Sequence, residues 1–349
     1  MVGRQYRHKQ YLAGARADGN RQAPFPLGVT MVCGMRQTRA AMLAAALTTI
    51  LFAISAVCAT RSTRLLGGVV ANLSRLVLAV LLLGGWAHFV GIGLGGAPFY
   101  WFFLSGMVGF GLGDLALYHA FPLLGARLTV LLAQCLAAPF GALVEWVWLG
   151  TTLRGSQVFW GLVILLGVSV ALAPERSRRL APHAMGWGIL LGVLAAMGQG
   201  GGAVLSRKAY AAARLAGQVV DGGTAAYERI LGGLVVAGLG LIMAKGIQSR
   251  SWKNRALFRA GNGFEIAGWV RHAGPWILAN SLAGPVFGVI CYQCALAVTP
   301  TGLVLAIVAT TPLVVMPMAL VVEGERFGVR SVVGGLLAVS GAVALAWVR

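Results

Sequence analysis

HAGPWILANSLAGPVFGVICYQCALAVTPTGLVLAIVATTPLVVMPMALVV, residues 272–322, contains no Asp, Glu, Lys or Arg. One membrane crossing takes about 20 apolar residues, so this stretch is too long for a single helix. Thr299-Pro300-Thr301 marks the hairpin between two. The same pattern continues outward in both directions. Spans are read near 40–60, 70–90, 98–119, 126–148, 155–174, 185–206, 225–245, 273–296, 300–322 and 328–348. Of 349 residues, 58% are hydrophobic and only 11% charged, against roughly 25% charged in a soluble domain. The reading is an all-α integral membrane protein of ten transmembrane helices, with the lipid bilayer as its first partner.

The net charge of +19 would suggest nucleic acid in a soluble protein. Here the bases fall in tails and loops, where anionic lipid headgroups attract them, and nucleic acid is excluded as a partner. Residues 1–39 hold seven bases and one acid, together with Pro24 and Pro26, and read as a disordered basic tail. Met31, Met35 and Met42 offer later starts. Ala40–Thr60 carries no charge over 21 positions and reads as a first span, not a signal peptide, since further apolar runs follow at once. Lys245–Arg271, with Lys253, Arg255, Arg259, Trp252, Phe258 and Trp269, reads as an interfacial loop.

Several chemistries find no residues to perform them. The five cysteines are scattered and odd in number, and Cys291-x-x-Cys294 lacks a second pair, so neither a disulfide framework nor a metal site is expected. None of the lysines follows a glycine, which removes the phosphate-loop motif. Gly198-Gln199-Gly200-Gly201-Gly202-Ala203 imitates a dinucleotide fingerprint but sits in an uncharged span with no strand context, where it reads as helix packing. With no paired acids, His cluster or nucleophile constellation, no catalytic residue and no cofactor is assigned, and an enzyme is the least favoured class.

The ten spans fall into two sets of five, 40–174 and 185–348. Ser55 to Arg61 parallels Gly202 to Lys208 at an offset of 147, and Ser74-Arg75-Leu76 parallels Glu228-Arg229-Ile230 at 154. Pro139 parallels Pro312 at 173, and Gly161 and Gly167 parallel Gly335 and Gly341 at 174. Five is odd, so the second set enters the membrane in the opposite sense. That is an inverted-topology repeat, an architecture of secondary transporters.

Thr299–Leu345, with Pro312, then Val322-Glu323-Gly324-Glu325-Arg326-Phe327-Gly328 and Gly334-Gly335-x5-Gly341, resembles the end of an EamA domain. Gly113-Asp114-x3-Tyr118-x6-Gly125-x13-Pro139 does the same in the first half. EamA domains belong to the drug/metabolite transporter superfamily, whose ten-helix members consist of two five-helix inverted repeats. The resemblance covers about residues 40–348 and implies a secondary transporter of a small metabolite, expected to be an exporter in the plasma (inner) membrane with both termini in the cytoplasm. The family commonly carries a glutamate after spans four and nine. Glu325 fits the second, as a structural cap at a helix N-terminus, while Thr151 or Thr152 stands at the first.

An ionised side chain at mid-bilayer costs about 2.5–3.5 kcal/mol, so those inside spans need a reason. Asp114 is the deepest acid, with Tyr118 one turn on along the same face. The pair reads either as a coupling or substrate site or as an interhelical tether. Arg75 and Arg229 lie about a turn inside spans two and seven and either snorkel to the interface or line the cavity. Gln134, Gln199, Asn280, Tyr292 and Gln293 serve either as interhelical glue or as a polar path. Pro139, Pro285 and Pro312 each remove a helix hydrogen bond and suit hinges. Spans three, four, eight and nine are then expected to rock against the rest by alternating access, driven by protons or by the solute gradient.

A non-transporting scaffold or sensor and a flippase for a lipid-linked substrate remain rival functions. Orientation by charge is nearly even: setting Arg75 and Arg229 aside, 12 bases fall on the face of the termini and 14 on the other. The chain is expected to act as a monomer or homodimer.

Overall fold

The computed structural model describes residues 27–149, 155–172, 182–250, 263–299, 301–324 and 328–347. The chain divides into units 1–39 and 40–349, and the account below concerns the second. Of the segment read as a tail, residues 27–39 are helical and open helix α1, Leu27–Leu66. The others are α2 Gly68–Phe89, α3 Phe99–Gly106, α4 Asp114–Val130, α5 Ala137–Leu149, α6 Gly155–Leu172, α7 Pro182–Leu215 and α8 Gly222–Arg250. After them come α9 Gly263–Ser281, α10 Val289–Val298, α11 Thr301–Val308, α12 Thr311–Glu323 and α13 Val329–Trp347. No strand occurs among the described residues. Thr151, Thr152, Glu325 and the middle of the expected interfacial loop, 251–262, lie outside them, while the ends of that loop extend α8 and α9.

Seven helices among the described residues are long and apolar enough to cross a membrane, within 39–66, 68–89, 99–148, 183–215, 222–243, 272–298 and 301–322. Shorter apolar helices cover Val158–Ala171 and Val329–Ala344. Phe99–Trp148 runs 50 residues, about 75 Å at 1.5 Å per residue, more than twice the ~30 Å hydrocarbon core. It is broken at Gly125, whose φ of 78° and ψ of 172° leave the helix. A residue with a side chain is strained at that φ, so the glycine makes the break possible.

Among the described residues, three π-helical segments interrupt the α-helices. Met107–Gly113 joins α3 to α4, Leu131–Cys135 precedes α5, and Leu282–Gly288 joins α9 to α10. The first and third hold residues that weaken α-helix, three glycines in the first and two glycines with Pro285 in the third. Pro139 and Pro312 differ from the expectation that they break helix interiors. Pro139 is the third residue of α5 and Pro312 the second of α12, first-turn positions where the missing N–H has no partner to lose. The breaks lie just before them, at Leu136 and at Ala309–Thr310, and the Cys135 Sγ donates to the Ala309 carbonyl at 3.6 Å. At the second break the Thr310 and Thr311 hydroxyls donate to the carbonyls of Ile307 and Val308 at 2.6 and 2.5 Å, replacing bonds the helix has lost.

Small residues bring these helices together. Gly198 in α7 faces the backbone of Gly113, and Gly200 faces Ala137 and Gly141 in α5. The run from 198 to 202 is thus a packing face, as glycines are between membrane helices. Helices α6 and α13 cross with Gly167 against Ala338 and Gly341 against Ile164. Toward one end, Lys208 Nζ stands 4.2 Å from the ring centroids of both Trp101 and Trp148, a cation held over aromatic faces.

Candidate functional site

A cavity of about 70 Å³ lies between the helices. Its walls come from both halves of the sequence: Phe52 and Ser55 on α1, Arg75 on α2, Asp114 and Tyr118 on α4, Gln134, Gln199 on α7, Arg229 on α8, Gly284 in the π-helical segment Leu282–Gly288 and Tyr292 on α10. Neither arginine reaches out of the protein. Arg75 is 4% exposed and Arg229 3%, and both face inward, so of the two readings offered by sequence the snorkelling one does not hold. The reason is local. Arg75 is drawn in by Asp114, with which it forms an ion pair, and Arg229 lies over the Phe110 ring, 5.1 Å from its centroid.

The Arg75 side chain is fixed on several sides. Its Nε donates to Asn72 Oδ1 at 3.1 Å one turn earlier, its guanidinium carbon lies 4.6 Å from the Tyr118 ring centroid, and its carbonyl accepts from Ser281 Oγ at 2.6 Å. Behind Tyr118 runs a second chain of bonds. Asn280 Nδ2 donates to the Tyr118 hydroxyl at 2.6 Å, and Ser55 Oγ donates to Asn280 Oδ1 at 2.7 Å. A network of this kind, closed among buried polar groups, holds its members in one arrangement. It ties α1, α2 and α4 to α9.

On the other wall the polar atoms are not tied. Arg229 makes no hydrogen bond or ion pair among the described residues, and its Nε is buried without a partner. The Tyr292 hydroxyl and Gln134 Oε1 are in the same state. Such groups cost roughly 1–3 kcal/mol each when left unpaired, more when charged, and in a transporter cavity a solute is one partner that supplies the missing bonds.

Seven residues singled out from sequence, Arg75, Asp114, Tyr118, Gln134, Gln199, Arg229 and Tyr292, line this one cavity. Asn280 stands behind its wall. Gln293 is elsewhere: its Nε2 donates to Ser206 Oγ at 3.3 Å, in a cluster completed by Ser105, whose hydroxyl lies 2.9 Å from Ser206 Oγ and donates to the Gly202 carbonyl at 2.7 Å. Asn72 was missed, although its spacing three residues before Arg75 places the two on one helical face. Phe110 was missed because an aromatic in an apolar run carries no signal of its own. No group of three or more His, Cys, Asp or Glu among the described residues is placed to hold a metal.

Outside the spans, Asp221 caps α8. Its Oδ1 accepts from the amides of Gly223 and Thr224 at 2.9 and 3.0 Å and from Trp86 Nε1 at 3.0 Å, and its Oδ2 accepts from the Thr224 hydroxyl at 2.6 Å. Burial raises its pKa, but these bonds together outweigh burial and hold it below the ordinary carboxylate value.

Residues 186–347 match the EamA-like transporter family, so the second half of the chain is an EamA-like domain and the match points to a membrane transporter. No curated protein matches the chain. Twenty-two chains of solved structures do. One of them, a crystal structure 19% identical, covers 87% of this chain and 95% of its own length with a TM-score of 0.57, a likeness that concerns the fold.

Proposed function

We propose that this chain, its second half an EamA-like transporter domain, is a secondary transporter that carries a small metabolite across the plasma (inner) membrane by alternating access, in the direction of export. The observation that carries the reading is the cavity: walled by both halves of the chain, lined by buried arginines, and provided with an ion pair on one side and unpartnered polar atoms on the other. A scaffold has no use for unpartnered charge at its centre.

The proposed frame is ten spans in two inverted five-helix repeats, and pairs of contacts support it. Gly109 lies beside Arg229 and Gly202, while Gly284 lies beside Arg75 and Ser55. These two trios correspond through the offsets of 154 and 147 read from sequence. The contact of Gly167 with Ala338 has its counterpart in Gly341 with Ile164, at 174. The π-helical segments beginning at Met107 and Leu282 fall at matching places.

At about 70 Å³ the cavity is well short of the roughly 300 Å³ at which sites for drug-sized ligands begin, so solute entry requires the helices to part. The interruptions at 107–113, 131–136, 282–288 and 309–310 supply places to bend. Coupling runs through Asp114, because its protonation dissolves the ion pair with Arg75 and frees that wall to move. The test is flux in proteoliposomes under an imposed pH gradient, with candidate solutes drawn from metabolites whose secretion differs between a deletion strain and an overproducer. Gradient-driven flux that depends on the protein is expected. Flux whose pH dependence survives Asp114→Asn removes the coupling role, and no flux of any differing metabolite removes the transporter.

A further inference from the structure

Resting on the transport reading, the charges in the cavity identify the solute class. With Asp114 ionised and paired, three charged side chains line it: Arg75, Asp114 and Arg229. Arg75 and Asp114 neutralise each other as an ion pair. Arg229 is left as one positive charge, 3% exposed, with no ion pair or hydrogen bond among the described residues. A buried unpaired cation costs several kcal/mol; neither Phe110 nor Tyr292, whose ring centroids lie 5.1 and 6.0 Å away, supplies a counter-charge, and Asp114 acts on Arg229 only through space, its ion pair being with Arg75.

We infer that Arg229 is the anion-binding group of the cavity and that the solute carries a single carboxylate. The planar guanidinium presents paired donors that match a carboxylate edge, and the unpartnered Tyr292 hydroxyl stands on the same wall as a further donor. One negative charge brings the cavity to neutrality; a doubly charged phosphate leaves it negative, and an amine or a zwitterion leaves the positive charge in place. Gln134 Oε1, buried without a donor, accepts a hydroxyl or N–H elsewhere on the solute. At about 70 Å³ the cavity has room for the smallest carboxylates, which makes them usable probes.

The experiment heats the purified full-length protein in detergent with formate, acetate or propionate, and in parallel with formamide, acetamide or propionamide, at one fixed chloride concentration. The carboxylates are expected to raise the melting temperature saturably and the amides to leave it unchanged. Arg229→Gln is expected to weaken the apparent acetate affinity about tenfold or more, since a hydrogen bond to a charged group is worth about 1.5–3 kcal/mol. Arg229→Lys, which keeps the charge and loses the fork, recovers part of it. Equal responses to acid and amide, or an Arg229→Gln titration that overlays the original, overturn the inference. Should Arg229→Gln fail to fold, phenylglyoxal labelling of Arg229 in the unaltered protein replaces it: acetate is expected to protect the residue, and absence of protection overturns the inference. Carboxylate binding without carboxylate flux in proteoliposomes removes the transport reading and leaves this site standing. Protein-dependent flux of an amine that Arg229→Gln does not alter does the reverse.

Discussion

Arg75 and Arg229 enter the cavity from opposite halves of the chain, each against a glycine in a π-helical segment of the other half, Gly284 for Arg75 and Gly109 for Arg229. Their surroundings then diverge. Asp114, the first residue after Met107–Gly113, pairs with Arg75, whereas the first residue after Leu282–Gly288 is Val289, which has no charge to offer. The chain has thus kept two cations in related places and balanced one.

Glycines beside Arg229 separate position from stability. A methyl group on Gly109 stands 3.2 Å from the Arg229 Nη2, the end of a flexible side chain, so Gly109→Ala is expected to shift the guanidinium by a few tenths of an ångström and weaken carboxylate binding while melting nearly normally. Gly106→Ala instead drives a methyl group into the Arg229 backbone carbonyl. A loss of about 1–3 kcal/mol is expected, read as a lower midpoint in thermal unfolding in detergent.

Asp114→Asn removes the charge that balances Arg75. The carboxylate borders the cavity with 13% of its side chain exposed, so the cost falls near the lower end for a broken buried pair, about 3 kcal/mol. Adding Arg75→Gln is expected to restore part of it. A double-mutant cycle on melting free energies measures the coupling, and additive losses would mean that the pair contributes nothing.

Tyr118→Phe keeps the ring under Arg75 and removes the acceptor of Asn280 Nδ2. Asn280 is fully buried, and leaving its amide unpaired costs about 1–3 kcal/mol. Asn280→Ala in the same background is expected to add little further, because the bond is already gone.

Asp221 gives a pH signature outside the spans. Its folded pKa is depressed, so the stability it contributes is fully present above the unfolded value of about 3.9 and is lost as pH falls through the lower folded one. Melting temperatures between pH 5 and pH 3 are expected to fall less steeply in Asp221→Ala, which is also less stable at neutral pH through loss of the cap. An unchanged acid limb would show that the cap is not what acid undoes.

Composition and apolar run lengths sufficed for the helical membrane class, and charge inside an apolar run led to Asp114, Arg75 and Arg229, because burying such groups is too costly to be accidental. The direction in which a side chain points was less legible. Asn280 and Gln293 look alike in sequence, yet one supports Tyr118 and the other joins Ser206. Leu282–Gly288 lies between them, and a π-helical segment shifts the phase of everything beyond it, so α-helical spacing cannot be carried across. The same limit applies to Pro139 and Pro312. A proline signals a break but does not say whether the break lies within its helix or just before it.

The contact of Gly113 with Gly198 has a mechanical meaning. Helices that meet through interlocking side chains resist sliding, because each ridge must climb out of its groove. At this crossing main chain rests on main chain with no side chain between, whereas farther along α7 the side chains of Lys208 and Tyr210 pack on Trp101 and Phe102 of the first half. At Gly198, α7 can therefore turn against Gly113 without disturbing a rotamer, while those side chains and the Ser105 bond to the Gly202 carbonyl hold the rest of the helix in place.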